Sequence, residues 1–354
     1  MEPVLTYDRT VSDWRCHLRG LCCRGHRIGV DGVTYGRMHR TLLAASDSRA
    51  AAFDPDGPPD EDGWRGVPMT GAPDDEQRSC LFLTPESKCG WRMDFGTGGL
   101  PSICQRYPYL QLYTPDRLRV GLTFTCPTAL GLLADQAALE VVEEPDGAPP
   151  VDFVTNLTGF ERRFYDADGG RVRPDLFWRR HDALAAAFDR AEALDDRLAL
   201  LVAEAGEPPV APVAMPDGAW ANGAFSGELF AQLGDRGAVT PGLMGLWSES
   251  VYRPMPDPPA FSGSEDALLS RYLAHRLLVP AFYSTRTDLA WLVGALFLAV
   301  ARYRVERARG ATPMVALRHV ELLVLHSGMP VRVLLGDDPA RTWRPVAAIA
   351  LAAP

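Results

Sequence analysis

Apolar residues recur every three or four positions over much of the second half of the chain, and this spacing predicts a set of helices. Leu184, Phe188, Ala191 and Leu194 fall on one side of a helical stretch predicted over Asp175–Ala205. Leu268, Leu269, Tyr272, Leu273 and Leu277 mark another, capped by Ser264, running through Val279 and stopped by Pro280. A third runs from about Thr287 to Arg309. It is apolar first and arginine-rich last: Arg302, Arg304, Arg307 and Arg309 suit the negative end of a helix dipole, and Gly310 follows as a stop. Pro313 opens a last helix to His326, ended by Gly328. The longest apolar run, Leu289–Ala301, falls short of the ~20 residues that a membrane-crossing helix needs, so it is read as a buried helix.

The first third is patterned differently. Arg27–Val30 reads as a short strand, and Asp31 can cap a helix from about Val33 to Leu43. Residues Ala45–Gln77 are rich in Asp, Gly and Pro and read as a solvated loop. Cys80-Leu-Phe-Leu follows as a short strand or turn. The apolar stretch Tyr107–Phe124, interrupted by Thr114-Pro115-Asp116, predicts a hairpin, and Pro127 suits the first turn of a helix. In the other half, 206–263 is Pro/Gly-rich and irregular, and no repeat of 20–50 residues is visible. The expected fold class is mainly α with small β elements. An N-terminal cysteine-cluster metal-binding domain over 1–135 would precede an α-helical domain over 136–354.

The net charge of -9 lacks the basic surface that a nucleic-acid-binding protein presents, so no nucleic-acid partner is expected. The 36 basic residues include a single lysine, Lys88, which together with the alanine-rich helices reflects GC-rich coding. Met1–Thr10 shows no basic start followed by an apolar core, so no export signal and no membrane association are expected. A cytoplasmic, reducing location follows as an expectation, and in it clustered cysteines are read as metal ligands or catalytic groups rather than disulfides.

All seven cysteines, Cys16, Cys22, Cys23, Cys80, Cys89, Cys104 and Cys126, lie in the first 126 residues. Thiolate is a soft ligand suited to zinc and to iron–sulfur clusters. Gly20 and Gly25 let the chain turn tightly around Cys22-Cys23, and Pro85–Ser87 predict a turn that brings Cys80 and Cys89 together. The plainer alternative is a set of small buried hydrophobes. His17 and His26 flank the first group as further candidate ligands, whereas His275, His319 and His326 sit among leucines and read as core-edge residues. Tyr107 is either a packed aromatic or a group that positions an incoming amine. Gly96-Thr97-Gly98-Gly99 lacks the strand before and the helix after that a dinucleotide loop requires.

Cys16-His-Leu-Arg19-Gly-Leu-Cys22-Cys23, Cys80-x-x-Leu83, Cys89, Cys104-x-x-Tyr107-Pro108 and Cys126-Pro127 together resemble the zinc- or iron-chelating cysteine-cluster family, whose signature opens CxxCxxCC. Arg19 stands where that signature has its second cysteine. The stretches CCRGHRIGVDGVTYGRM, RVGLTFTCPTALGLL and LLSRYLAHRLLVPAF are similar to the flagellin lysine-N-methylase branch in particular. The resemblance implies a metal centre on the seven cysteines, either an iron–sulfur cluster (4Fe-4S) or zinc. It also implies methyl transfer from S-adenosylmethionine to lysine side chains of a partner protein such as flagellin. The other expectation is a non-catalytic, zinc-stapled scaffold or adaptor. No Rossmann-type methyltransferase pattern is present in the sequence.

Overall fold

The computed structural model describes residues 4–15, 20, 23–24, 28–59, 63–71, 78–113, 117–144, 163–165, 171–205, 210–212, 258–279, 286–287, 289–326, 346–348 and 350–351. Helix is the dominant element and the sheets are small, as the apolar spacing predicts.

The chain begins with strand β1 (Val4–Asp8) and a single helical turn, α1 (Arg9–Asp13). The short strand β2 (Gly29–Val30) leads into α2 (Gly32–Ala44). Asp31 caps α2 as expected, its Oδ1 accepting from Thr34 N at 2.8 Å. The stretch expected to be loop carries short elements: a 3-10 helix over Ser48–Ala52, then β3 (Arg65–Gly66) and β4 (Met69–Thr70). Strand β5 (Ser79–Cys80) and helices α3 (Gly90–Phe95) and α4 (Ser102–Arg106) follow. The predicted hairpin is formed by β6 (Tyr109–Tyr113) and β7 (Arg117–Leu122), and α5 (Pro127–Asp135) starts at Pro127 as expected.

After β8 (Val141–Glu144), β9 (Arg163–Tyr165) and β10 (Arg171–Val172), the stretch predicted over Asp175–Ala205 is two helices, α6 (Pro174–Asp189) and α7 (Leu194–Glu204). The break at 190–193 contains neither glycine nor proline, so the apolar period runs through it unmarked. Helix α8 (Glu265–Leu278) is capped by Ser264, then come β11 (Arg286–Thr287), α9 (Leu289–Ala308) and α10 (Pro313–His326). Of the irregular 206–263, residues 206–209 and 213–257 lie outside the described residues, and 210–212 and 258–263 form no helix or strand.

The largest sheet has the order β6-β7-β1-β8. Strand β1 lies inside it, parallel to β7 and antiparallel to β8, with Thr6 opposite Arg119 on one side and Glu143 on the other. Both faces of β1 are covered, so Leu5, Thr6, Tyr7 and Asp8 are all buried.

Two hydrophobic clusters organise the molecule. The larger joins β1, β6, β7 and α5 to helices α6–α10 and to Val346, Ala347 and Ala350. Residues on both sides of position 135 therefore share one core. The smaller is built from Ile28, Val30, Tyr35, Met38, Leu42, Ala50, Phe53, Val67, Cys80, Phe82, Trp91 and Leu100. No helix among the described residues is long and apolar enough to cross a membrane.

Candidate metal centre

Four of the seven cysteines lie in or against the small cluster. Cys80 is buried inside it, and Cys23, Cys89 and Cys104 pack against it. Local chain geometry accounts for each placement. Arg24 bridges Ser79 in antiparallel fashion, a register that sets Cys23 across from Cys80. The expected turn is present: Ser87 N donates to Thr84 O and Thr84 N to Lys88 O, both at 2.9 Å, which pairs Leu83 with Cys89. Cys89 then precedes α3, and Cys104 lies in α4.

Gly20 locks the first cysteine segment against this turn. Its φ is +66°, and a Cβ there would sit 2.6 Å from the Ser87 carbonyl oxygen and 2.7 Å from a Leu83 methyl. Only glycine tolerates both the left-handed backbone and that approach. Arg24 adds a hydrogen bond from Nη2 to Ser87 Oγ at 3.2 Å.

Cys126 is placed differently: it is buried in the large cluster with Phe124, Ala129 and Leu130. Cys16, Cys22, His17, His26 and Arg19 lie outside the described residues. Among the described residues, no three His, Cys, Asp or Glu side chains form a group that could hold a metal ion. Four of the five described thiols thus share one small core without closing on a common point, and the fifth, Cys126, lies in the other.

The remaining sequence candidates take structural positions. Gly96 ends α3 with φ +72°, and Gly99 lies so close to Trp91 that a Cβ would come within 2.9 Å of the indole, so this stretch is a helix stop and a packing contact. Tyr107 packs on the large core with its hydroxyl 3.2 Å from Thr125 Oγ1. His275 is buried, with Nε2 2.9 Å from Gln136 Oε1 and 3.6 Å from Asp8 Oδ1, and burial pushes its pKa down to about 4. His319 Nδ1 lies 2.8 Å from Glu306 Oε2. His326 ends α10.

Sequence reasoning did not anticipate the polar groups inside the large core. Glu321 is fully buried and accepts from Arg276 Nη2 (2.8 Å), Tyr272 Oη (2.8 Å), Thr123 Oγ1 (3.1 Å) and Phe124 N (3.0 Å). Arg276 also lies over the ring of Phe124. A second group surrounds Arg119, stacked 4.1 Å above Trp178. Arg119 donates to Asp182 Oδ1 at 2.6 Å and to the Leu278 carbonyl and His181 Nδ1 at 3.2 Å each. As Arg119 can only donate, His181 Nδ1 accepts and its proton sits on Nε2. Burial, reinforced by the neighbouring guanidinium, pushes His181 down to about 4. For Asp182, burial acts upward, but hydrogen bonds from Arg119 and Arg117 hold the carboxyl well below its usual range. An arginine on a strand and a His-Asp pair on a helix form no recognisable sequence motif, because only the tertiary fold brings them together.

Beside Arg119 a cleft of about 180 Å³ opens between the sheet and helices α6 and α8. No family model, curated protein or solved structure matches the chain.

Proposed function

We propose that the chain is a metal-centred protein whose cysteines hold zinc or an iron–sulfur cluster at the small core. The observation that carries this reading is the gathering of Cys23, Cys80, Cys89 and Cys104 from four separate segments onto one cluster of apolar side chains. The donor chemistry fits a soft metal, and these four residues, with Cys16 and Cys22, are the ones that would hold it. The resemblance to flagellin lysine-N-methylase extends the proposal to methyl transfer from S-adenosylmethionine to lysine ε-amines of a partner protein. In that reaction the amine must shed its proton before it attacks the methyl carbon, in surroundings that keep water out.

A second reading is favoured by the slightness of the elements around the small core. Strands β2 to β5 have two residues each, and α3 and α4 have 6 and 5. Elements this short close few hydrogen bonds of their own, and cores of this size are commonly stabilised by a structural metal. In this reading the metal is a staple and the protein a scaffold or adaptor.

Metal analysis and a visible spectrum of anaerobically purified protein distinguish the two. Iron with broad absorbance near ~400 nm supports a cluster, and colourless protein with stoichiometric zinc supports the staple. Protein with neither metal overturns both. Labelled S-adenosylmethionine offered with a lysine-bearing protein tests the transfer itself, and absence of labelling by metal-replete protein removes that part alone.

A further inference from the structure

The antiparallel pairing of Arg24 with Ser79 sets the residue before one opposite the residue after the other, and both of these are cysteines, Cys23 and Cys80. Directly opposed residues have Cα atoms about 4.5 to 5.5 Å apart, within the roughly 4.4 to 6.8 Å that a disulfide spans. Opposed side chains also leave the ladder on the same face. The packing agrees: Cys80 is buried in the small core, and Cys23 packs against that same core.

Both positions are held by the backbone. Cys23 N donates to Gly20 O at 3.0 Å, and Gly20 is itself fixed by its close approach to Ser87. Cys80 is paired with Met69 on β4, and its carbonyl accepts from Leu83 N at 2.8 Å.

We propose that Cys23 and Cys80 are an oxidation site, at which a peroxide converts two thiols into a reversible disulfide. Exposure sets the order of events. Cys23 is half-buried and meets the oxidant, whereas Cys80 is only 5 % exposed. The Cys23 thiolate attacks one peroxide oxygen, the O–O bond breaks, and the hydroxide that leaves is protonated to water. Cys23 is then a sulfenic acid. The Cys80 sulfur attacks the Cys23 sulfur, the S–OH bond breaks, and a second water forms with the proton that Cys80 sheds. Each sulfur gives up one electron, and hydrogen peroxide takes up both.

Other pairings are set less well among the described residues. Cys89 faces Leu83 across its bridge, Cys104 lies in α4 rather than on a ladder, and Cys126 belongs to the other core. The Cys23–Cys80 bond closes a loop around β2, α2, β3 and β4, and so staples the small core covalently. The inference concerns the thiols themselves and stands apart from the metal reading. Where a metal is bound, oxidation removes two of its ligands and the metal leaves.

The test treats the full chain, as purified, with a small excess of hydrogen peroxide, blocks the remaining thiols with iodoacetamide and maps the proteolytic peptides by mass. The expected product is a peptide pair joined through Cys23 and Cys80 that dithiothreitol separates again. A chelating dye read in parallel reports the metal. Release in step with the bond supports both readings, whereas the bond in protein that holds no metal sustains the oxidation site and removes the metal. In Cys80→Ala, dimedone should trap the sulfenic acid at Cys23; if that variant does not fold, the wild-type map alone decides. Joining of Cys23 to any other cysteine, oxidation confined to sulfinic or sulfonic acids, thiols left unchanged, or no dimedone adduct at Cys23 in folded Cys80→Ala overturns the inference.

Discussion

The two cores of this molecule solve the problem of burial by different means. The large one rests on long elements, among them a 20-residue α9, and it admits charge only where partners surround it. Glu321 has four hydrogen-bond donors, and Arg302 pairs with Glu306, which also meets His319. The small one has two-residue ladders, helices of five or six residues beside α2, and sulfur in place of charge. Length lets the first core close its own hydrogen bonds, whereas the second depends on side chains gathered from segments that hardly hold themselves. A perturbation should therefore stay within the core it strikes.

The largest expected effect is on the small core. Cys23→Ser and Cys89→Ser, at partly buried positions, should release metal and open residues 28–104 to proteolysis while the helical circular dichroism persists. If the cysteines merely pack, both changes are mild and metal content does not alter, which limited proteolysis with metal analysis will reveal. In the large core, Arg276→Met strands the Glu321 carboxylate and should cost about 3–5 kcal/mol in urea unfolding. Resistance of the small core to protease should not change in that variant.

Acidification comes next. His181 and His275 are pushed down to about 4 in the folded state, below the ~6.5 of an unfolded histidine. The unfolded chain therefore binds more protons between these values, so stability is full above about pH 6.5 and declines as the pH falls toward 4. Each histidine contributes on the order of 3 kcal/mol to that decline, measurable as the pH dependence of the urea midpoint. His181→Gln should flatten the slope by one proton. The smallest effect is expected at the surface pair Arg190–Glu204, separated by 3.6 Å: Arg190→Gln should shift stability by less than about 1 kcal/mol.

Much of the helical architecture was legible in the sequence because caps and stops are local. Asp31, Ser264, Pro127 and Pro313 sit where their helices begin. The break between α6 and α7 was not legible, since its residues carry no stop signal and the apolar period continues across it. The strand β1 was missed for another reason: VLTYD gains its meaning only from β7 and β8, more than a hundred residues away. At the candidate centre, the turn at Pro85–Ser87 and the tight bend at Gly20 were readable from residue type. The placement of Cys126 in the other core was not, because spacing along the chain says nothing about which apolar cluster a thiol joins. The Arg119 group and its cleft arise from a register between strands, which no local pattern encodes.

The interior position of β1 has a consequence for biosynthesis. Residues 4–8 leave the ribosome well before either neighbour exists: one edge of that strand waits for residue 120, and the other stays unsatisfied until residue 144 has been made. At 5–20 residues per second this delay is about 7 to 27 seconds. A nascent segment of five buried or half-buried residues must spend that time in the company of a chaperone or of itself, so the yield of folded protein should respond to translation speed across residues 9–144.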